Sequence, residues 1–419
     1  MKKTETFIGF IFGLLLLILG KTLLSSNMLF FRLLIGIAFG YTLSRGYTGF
    51  AGSVNRAYRT GSTRLMRTMM MMFFITTLLS TAFLFNSDPA TYDLWVNPIN
   101  LGLLLGGILF GFGMSFSSCC ASGVLTDLVT ALPRALITLV FFAFGVFIGF
   151  PVQNSSAWIK ESWFTSPIGK KLYGGVYLPD IFKWDGLNGY LGALILTGLL
   201  SGLVILLAHY YESKRKEEGT YTGHFGEKIQ DIEEAETKEE VNKETDWYNR
   251  LFVNAWSLRK AAVILASLFT LLMGITKAGW GASTPYGLWF GKVMMVFGIS
   301  ADQLASFTKM PAEAYSTPFF QHPVSVQNFG IIMGTLLFLL TSGTFLKVFT
   351  SELRITGKEA AFFVLGGFLM GFGTRLSNGC NVGALYTPIA NFSLSGWIFL
   401  IFLILGGIFG NILAKKVKL

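Results

Sequence analysis

Two cysteines, Cys120 and Cys380, stand 260 residues apart in the same phrase. Leu105–Leu125 reads LGGILFGFGMSFSSCCASGVL, and Leu365–Leu385 reads LGGFLMGFGTRLSNGCNVGAL. In each copy a glycine-ribbed apolar helix gives way to small polar residues, presents a cysteine and resumes as a short helix. A thiol at the first turn of a helix faces unbonded N–H groups and the positive end of the helix dipole. That setting attracts an anion and favours a thiolate. Ser117, Ser118, Ser377, Asn378 and Asn381 add small hydrogen-bonding groups beside the two thiols. The pattern reads as one substrate-contacting site assembled from two repeats.

Other chemistries find little support. His209, His224 and His322 are scattered and no carboxylate pair accompanies the cysteines, so general acid–base catalysis is not indicated. Three cysteines make no disulfide framework. Buried cysteines can be small apolar fillers, but their equivalent places in the repeats favour a function; Cys119 has no counterpart in the second copy. Two thiols from different repeats could share a metal, yet no C-x-x-C or neighbouring histidine stands with them. No metal and no cofactor is expected. Arg375 and Lys277 lie near span ends, where they either snorkel or draw anions toward an outer mouth. Asp127 is a costly intramembrane charge and so a functional candidate, or it pairs with Arg134; Lys292 carries the same ambiguity. Gly111, Gly113, Gly371 and Gly373 read as close-packing ribs that support the site without touching substrate.

The elements that must position these residues are membrane helices. The 419-residue chain is 52% hydrophobic and 13% charged, with a mean hydropathy of +0.57. Soluble domains carry about 25% charged residues. Apolar runs reach the ~18–20 residues that span a bilayer. The fold class expected is therefore an all-α polytopic membrane protein in a lipid bilayer. The net charge of +10 is no nucleic-acid signal, because its basic residues gather at helix ends. The first apolar run lacks a small-residue cleavage site and reads as an uncleaved span.

Ten spans are expected, at residues 7–24, 29–43, 68–85, 99–116, 134–150, 189–210, 258–275, 326–348, 359–376 and 393–413. Short insertions follow the second and seventh, at Arg45–Arg67 and Gly279–Phe297. The chain divides into a first span and turn (1–28), repeat 1 (29–151), an external loop and linking span (152–211), a charged cytoplasmic linker (212–250) and repeat 2 (251–419). With both termini cytoplasmic, every basic loop lies inside and every acidic or aromatic loop outside. The fourth and ninth spans then run in opposite directions, which makes the halves inverted-topology repeats. Such transporters place their site near the midplane on broken helices. The apolar stretches after Cys120 and Cys380 run for about 11–12 residues, ~16–18 Å as helix, so they are expected to be re-entrant half-helices.

GGILFGFGMSFSSCCASG, GGFLMGFGTRLSNGCNVGALYTPIANFSLSGW and ITKAGWGASTPYGLWFGKVMMVFG resemble the YeeE/YedE family of inner-membrane proteins, associated with uptake of thiosulfate and related sulfur or selenium compounds. The resemblance implies an inverted-repeat fold with re-entrant helices. It also implies that Cys120 and Cys380 contact a small sulfur-containing anion in passage, by S–H hydrogen bonds. A further cysteine of many members is replaced here by Gly49. The function expected is uptake of thiosulfate or a related species across the cytoplasmic membrane, by a transporter and not an enzyme. The alternatives are a membrane sulfurtransferase passing sulfane sulfur through a cysteine persulfide, and an importer of a selenium compound. A cytoplasmic sulfur-carrier protein is a candidate partner.

Overall fold

The computed structural model describes residues 2–239 and 247–417. The first half contains α1 (Lys2–Leu23), α2 (Asn27–Arg45), α3 (Gly52–Thr60), α4 (Arg64–Leu84), α5 (Leu101–Ser117), α6 (Gly123–Thr130) and α7 (Leu132–Ser155). Two connecting helices follow, α8 (Tyr190–Glu217) and α9 (Phe225–Glu239). The second half contains α10 (Leu258–Thr276), α11 (Thr284–Val296), α12 (Pro323–Ser342) and α13 (Gly357–Leu376). It closes with α14, a π turn at Asn381–Tyr386 continued by Thr387–Ala390, and α15 (Leu394–Lys416). Among the described residues nine helices have the length and hydropathy to cross a membrane. The 17-residue α5 is the shorter tenth apolar helix.

Local chemistry sets these boundaries. Asn100 opens α5 by accepting the Leu103 N–H at 3.0 Å, and Ser118 closes it in the left-handed region at φ 57°. Thr356 and Glu359 form a capping box at the start of α13. Pro285 stands in the first turn of α11, where its missing N–H costs nothing. The short α3 ends at Gly61, whose φ of 78° suits a residue without a Cβ.

The halves pack on each other by exchange. The helix pairs α2–α12, α5–α15, α3–α15 and α6–α12 have as counterparts α10–α4, α13–α7, α11–α7 and α14–α4. The glycines show the same rule at atomic scale. A Cβ on Gly106 would lie 2.7 Å from the Gly373 carbonyl oxygen, and one on Gly366 would lie 2.7 Å from that of Gly113. As residue numbers rise along α5 they fall along α13, so the two helices cross antiparallel. In the flanking pairs, a Cβ on Gly111 would collide with the Leu403 carbonyl of α15, and one on Gly371 with the Phe142 carbonyl of α7. Backbones this close explain why the apolar sequence is ribbed with glycine rather than filled with leucine.

Both connecting segments pack onto the bundle. The aromatic loop before α8 folds over the end of the bundle: Gly175 N–H bonds Val96 O at 3.1 Å, and Leu178 N–H bonds Phe392 O at 2.8 Å. The described part of the stretch expected to be a charged cytoplasmic linker is docked. Helix α8 continues to Glu217 and α9 packs against the first insertion, burying Glu212, Glu227 and Gln230. Its carboxylates find arginines there, which charge composition alone did not reveal. Residues 240–246 of that linker lie outside the described residues.

Candidate functional site

The two cysteine turns are built alike. Ser117 Oγ bonds the carbonyls of Gly113 at 3.0 Å and Cys119 at 3.3 Å. Ser377 Oγ bonds those of Gly373 at 2.9 Å and Gly379 at 3.0 Å. Each serine thus ties the last helical turn to the loop before the thiol. The next residues, Ser118 and Asn378, take left-handed φ values of 57° and 56°, which turns the chain so that Cys120 and Cys380 lead into α6 and α14. Cys120 Sγ lies 3.4 Å from Ser122 Oγ and accepts the Gly123 N–H at 3.4 Å. All three cysteines are free thiols and buried.

The second insertion joins the turns. Tyr286 in α11 donates its hydroxyl to Ala121 O, the residue after Cys120, at 2.5 Å. In the first insertion the Ala51 N–H faces the Cys120 thiol, and both residues line one cavity. Sequence reasoning missed Tyr286. Its signal was present in the GWGASTPYGLWFGK stretch, which occupies in the second half the place of the insertion facing Cys120.

Arg375 does not snorkel: it is 3% exposed. Its guanidinium reaches Ser283 Oγ at 3.2 Å, Thr284 Oγ1 at 3.3 Å and Gln153 Oε1 at 3.4 Å, and lies 5.3 Å over the Phe150 ring. Gln153 Nε2 in turn donates to Asn378 Oδ1 at 2.6 Å, so the cation is linked to the second cysteine turn. Among the described residues no carboxylate pairs with Arg375. A buried charge without a counter-ion is unfavourable unless polar groups or a ligand compensate it. Lys277 is exposed at the end of α10, 5.4 Å over the Tyr92 ring. Asn381 Nδ2 lies 3.0 Å from Met114 Sδ, and its buried Oδ1 has no partner among the described residues.

A cavity of about 450 Å³ leads from Cys119 and Cys120 to the face carrying Arg56, Arg59 and His224. Asp127 lines it and pairs with Arg134 at 3.1 Å, which also lies 3.5 Å from Glu352. Gly49 lines the same cavity, and nothing lies within 4 Å of where its Cβ would be. Lys292 is spent on the carbonyls of Tyr315 and Thr317, both at 2.5 Å. Among the described residues no three His, Cys, Asp or Glu side chains converge as a metal site would require.

His224, the residue before α9, lines this cavity, and α9 docks on the first insertion beside it. Glu227 accepts Ser62 Oγ at 2.5 Å and lies 3.6 Å from Arg56. Asp231 accepts two bonds from Arg64, at 2.6 and 2.8 Å, which hold its carboxyl below the ordinary range. Gln230 caps the carbonyls of Gly46 at 2.9 Å and Trp256 at 2.8 Å. Burial, with Arg56 nearby, pulls the His224 imidazole down to about 4, so it is neutral at pH 7.

Residues 45–409 match a protein family described as sulphur transport. Over 396 residues the chain is 26% identical to the thiosulfate transporter TsuA of Spirochaeta thermophila, covering 90% of this chain and 97% of that one. It is also 28% identical over 158 residues to the probable transporters YedE of Salmonella typhimurium and Escherichia coli. Those alignments span 38% of this chain and 38% of each relative.

Proposed function

The chain belongs to the sulphur-transport family, and we propose that it imports thiosulfate or a related small sulfur anion along a path that passes Cys120 and Cys380. It is a multi-pass membrane protein and a transporter rather than an enzyme. The observation that carries the reading is the pair of equivalent cysteine turns beside a buried arginine that, among the described residues, has no carboxylate partner. The full-length likeness to a protein named a thiosulfate transporter supports the substrate class.

In this reading the halves are inverted repeats, and α6 and α14 are half-helices that stop within the bilayer. The antiparallel crossing of α5 and α13 supports this, as does the eight-residue length of α6. Eight residues rise only ~12 Å, too little to span. The face with Arg56, Arg59, Arg64 and Arg67 is cytoplasmic, by the excess of basic residues on inner loops, and both termini share it.

Arg375 compensates the charge of the arriving anion in a desolvated setting. The thiols then offer S–H donors, which are weak. Weak, successive contacts suit passage because tight binding would block release. The anion enters the cavity below Cys119 and Cys120, where a cytoplasmic sulfur carrier would meet it.

Uptake of sulfur-labelled thiosulfate into proteoliposomes tests this, with wild type beside Cys120→Ala and Cys380→Ala. Uptake by wild type that collapses in both variants is expected. Equal uptake in all three overturns the thiol path. No uptake by wild type removes thiosulfate and brings forward selenium compounds. One added sulfur on Cys120 during turnover, seen by mass spectrometry, would turn the reading to a sulfurtransferase.

A further inference from the structure

The exchange of contacts between the halves finds a second cation where the sequence repeat has none. Adding the 260-residue offset to Ser115 reaches Arg375, so a serine stands where the other half has its buried arginine. Helices α7 and α15 match at an offset of 261. A Cβ on Gly145 would collide with Phe368 O, and one on Gly406 with Ile108 O. By that offset Phe150, the ring beneath Arg375, corresponds to Asn411.

Arg59, reaching in from α3, binds both counterparts. Its Nη2 donates to Ser115 O at 2.7 Å and its Nε to Asn411 Oδ1 at 3.0 Å. Its Nη1 lies 3.4 Å from Ser118 Oγ, in the first cysteine turn. The Arg59 guanidinium thus lies beside the residues that correspond to Arg375 and Phe150, although it comes from a different element and is exposed where Arg375 is buried. It lines the cavity that holds Cys119 and Cys120, and also a second cavity of about 510 Å³ shared with Arg215 and Lys415. Among the described residues no carboxylate pairs with Arg59. Three of its five N–H groups are engaged, leaving donors for a ligand.

The two arginines lie at opposite ends of the crossing. Leu376 and Ser377, beside Arg375, pack on Gly102 and Gly106 of α5. Ser115 is nine residues further along, a rise of about 13 Å. We propose that Arg59 is a second anion station, the counterpart of Arg375 on the far side of the thiol pair, which receives the sulfur oxyanion as it leaves Cys120. The proposal rests on the transport reading for its direction, but not for its electrostatics.

Its test uses Cys119 as a reporter on the same cavity wall. Full-length protein with Cys120→Ala and Cys380→Ala, in membranes exposing the α3 face, is alkylated with iodoacetate, an anion, and with neutral iodoacetamide. The ratio of the two rates reads the local potential. Arg59→Gln is expected to lower that ratio about 3- to 10-fold, as loss of one nearby charge in a partly screened site predicts. Arg59→Lys is expected to retain most of it, and Arg375→Gln all of it. Sulfate should slow Cys119 alkylation saturably in the Arg59 protein and not in Arg59→Gln. An unchanged ratio in Arg59→Gln, protection that survives the substitution, or a Cys119 that neither reagent reaches would each overturn the proposal. Failure of wild type to move thiosulfate would leave these readings standing and fall on the substrate alone.

Discussion

The hydroxyl of Tyr286 reaches the carbonyl oxygen of Ala121 at 2.5 Å, fastening the second insertion to the first cysteine turn. Tyr286→Phe removes that bond and leaves a buried carbonyl unpaired, at a cost of about 1–3 kcal/mol. The ring still fills its place against Phe142. The variant is expected to fold with a slightly lower Tm and to lose transport by more than its stability implies, because the turn carrying Cys120 is no longer pinned. Uptake beside a thermal melt in detergent checks this, and full uptake at lowered Tm would leave the bond a merely structural one.

Arg375 compensates an anion only if its charge matters. Arg375→Gln is expected to raise KM for thiosulfate roughly 10- to 100-fold, the worth of one charge-assisted hydrogen bond. Arg375→Lys keeps the charge but loses the guanidinium fork that spans Ser283, Thr284 and Gln153, so it should fall between. Concentration-dependent uptake separates KM from maximal rate; equal KM in all three proteins would exclude the role.

Gly111 and Gly371 occupy equivalent places, against Leu403 O and Phe142 O. Alanine at either must push two backbones apart, and overpacking of this kind costs about 1–3 kcal/mol. The two single substitutions are expected to lower Tm by similar amounts. A large difference between them would show that the halves are not equally tight.

Acid should loosen α9. The His224 imidazole is lowered from its ordinary 6.5 to about 4. The undocked segment therefore takes up a proton more readily, and docking is lost as pH falls from 6.5 toward 4. Asp231 acts in the same sense: its carboxyl is lowered by Arg64, so its contribution is present above the ordinary aspartate value and fades as pH falls through the lowered one. With the intrinsic pH dependence of exchange divided out, hydrogen-exchange protection of Phe225–Glu239 should fall as pH drops from 7 to 5, and His224→Gln should blunt the change.

The membrane class, the helices and the two cysteine turns were legible because hydropathy and an internal repeat are written along the chain. Cys120, Cys380 and the glycine ribs needed only the 260-residue offset. The environment of Arg375 was not legible, since its partners Gln153, Ser283 and Thr284 come from two other helices. Tyr286 and Arg59 were hidden for a related reason: each acts on a turn in an element far from it in sequence. The docking of α9 depended on which arginine each carboxylate would find, and a charge run does not encode that. Asp127 stood between two readings, and the contact with Arg134 supplied the partner.

The close glycine contacts of α5 bear on how the protein is made. Gly106 and Gly111 fit against Gly373 and Leu403, which are translated 267 and 292 residues later. At about 5–20 residues per second the first cysteine helix waits roughly 15–60 s for its neighbours. During that interval its small-residue face has only lipid or insertion machinery against it. Neither half should hold a stable structure alone, and two separately expressed halves should recover function only when they are produced together.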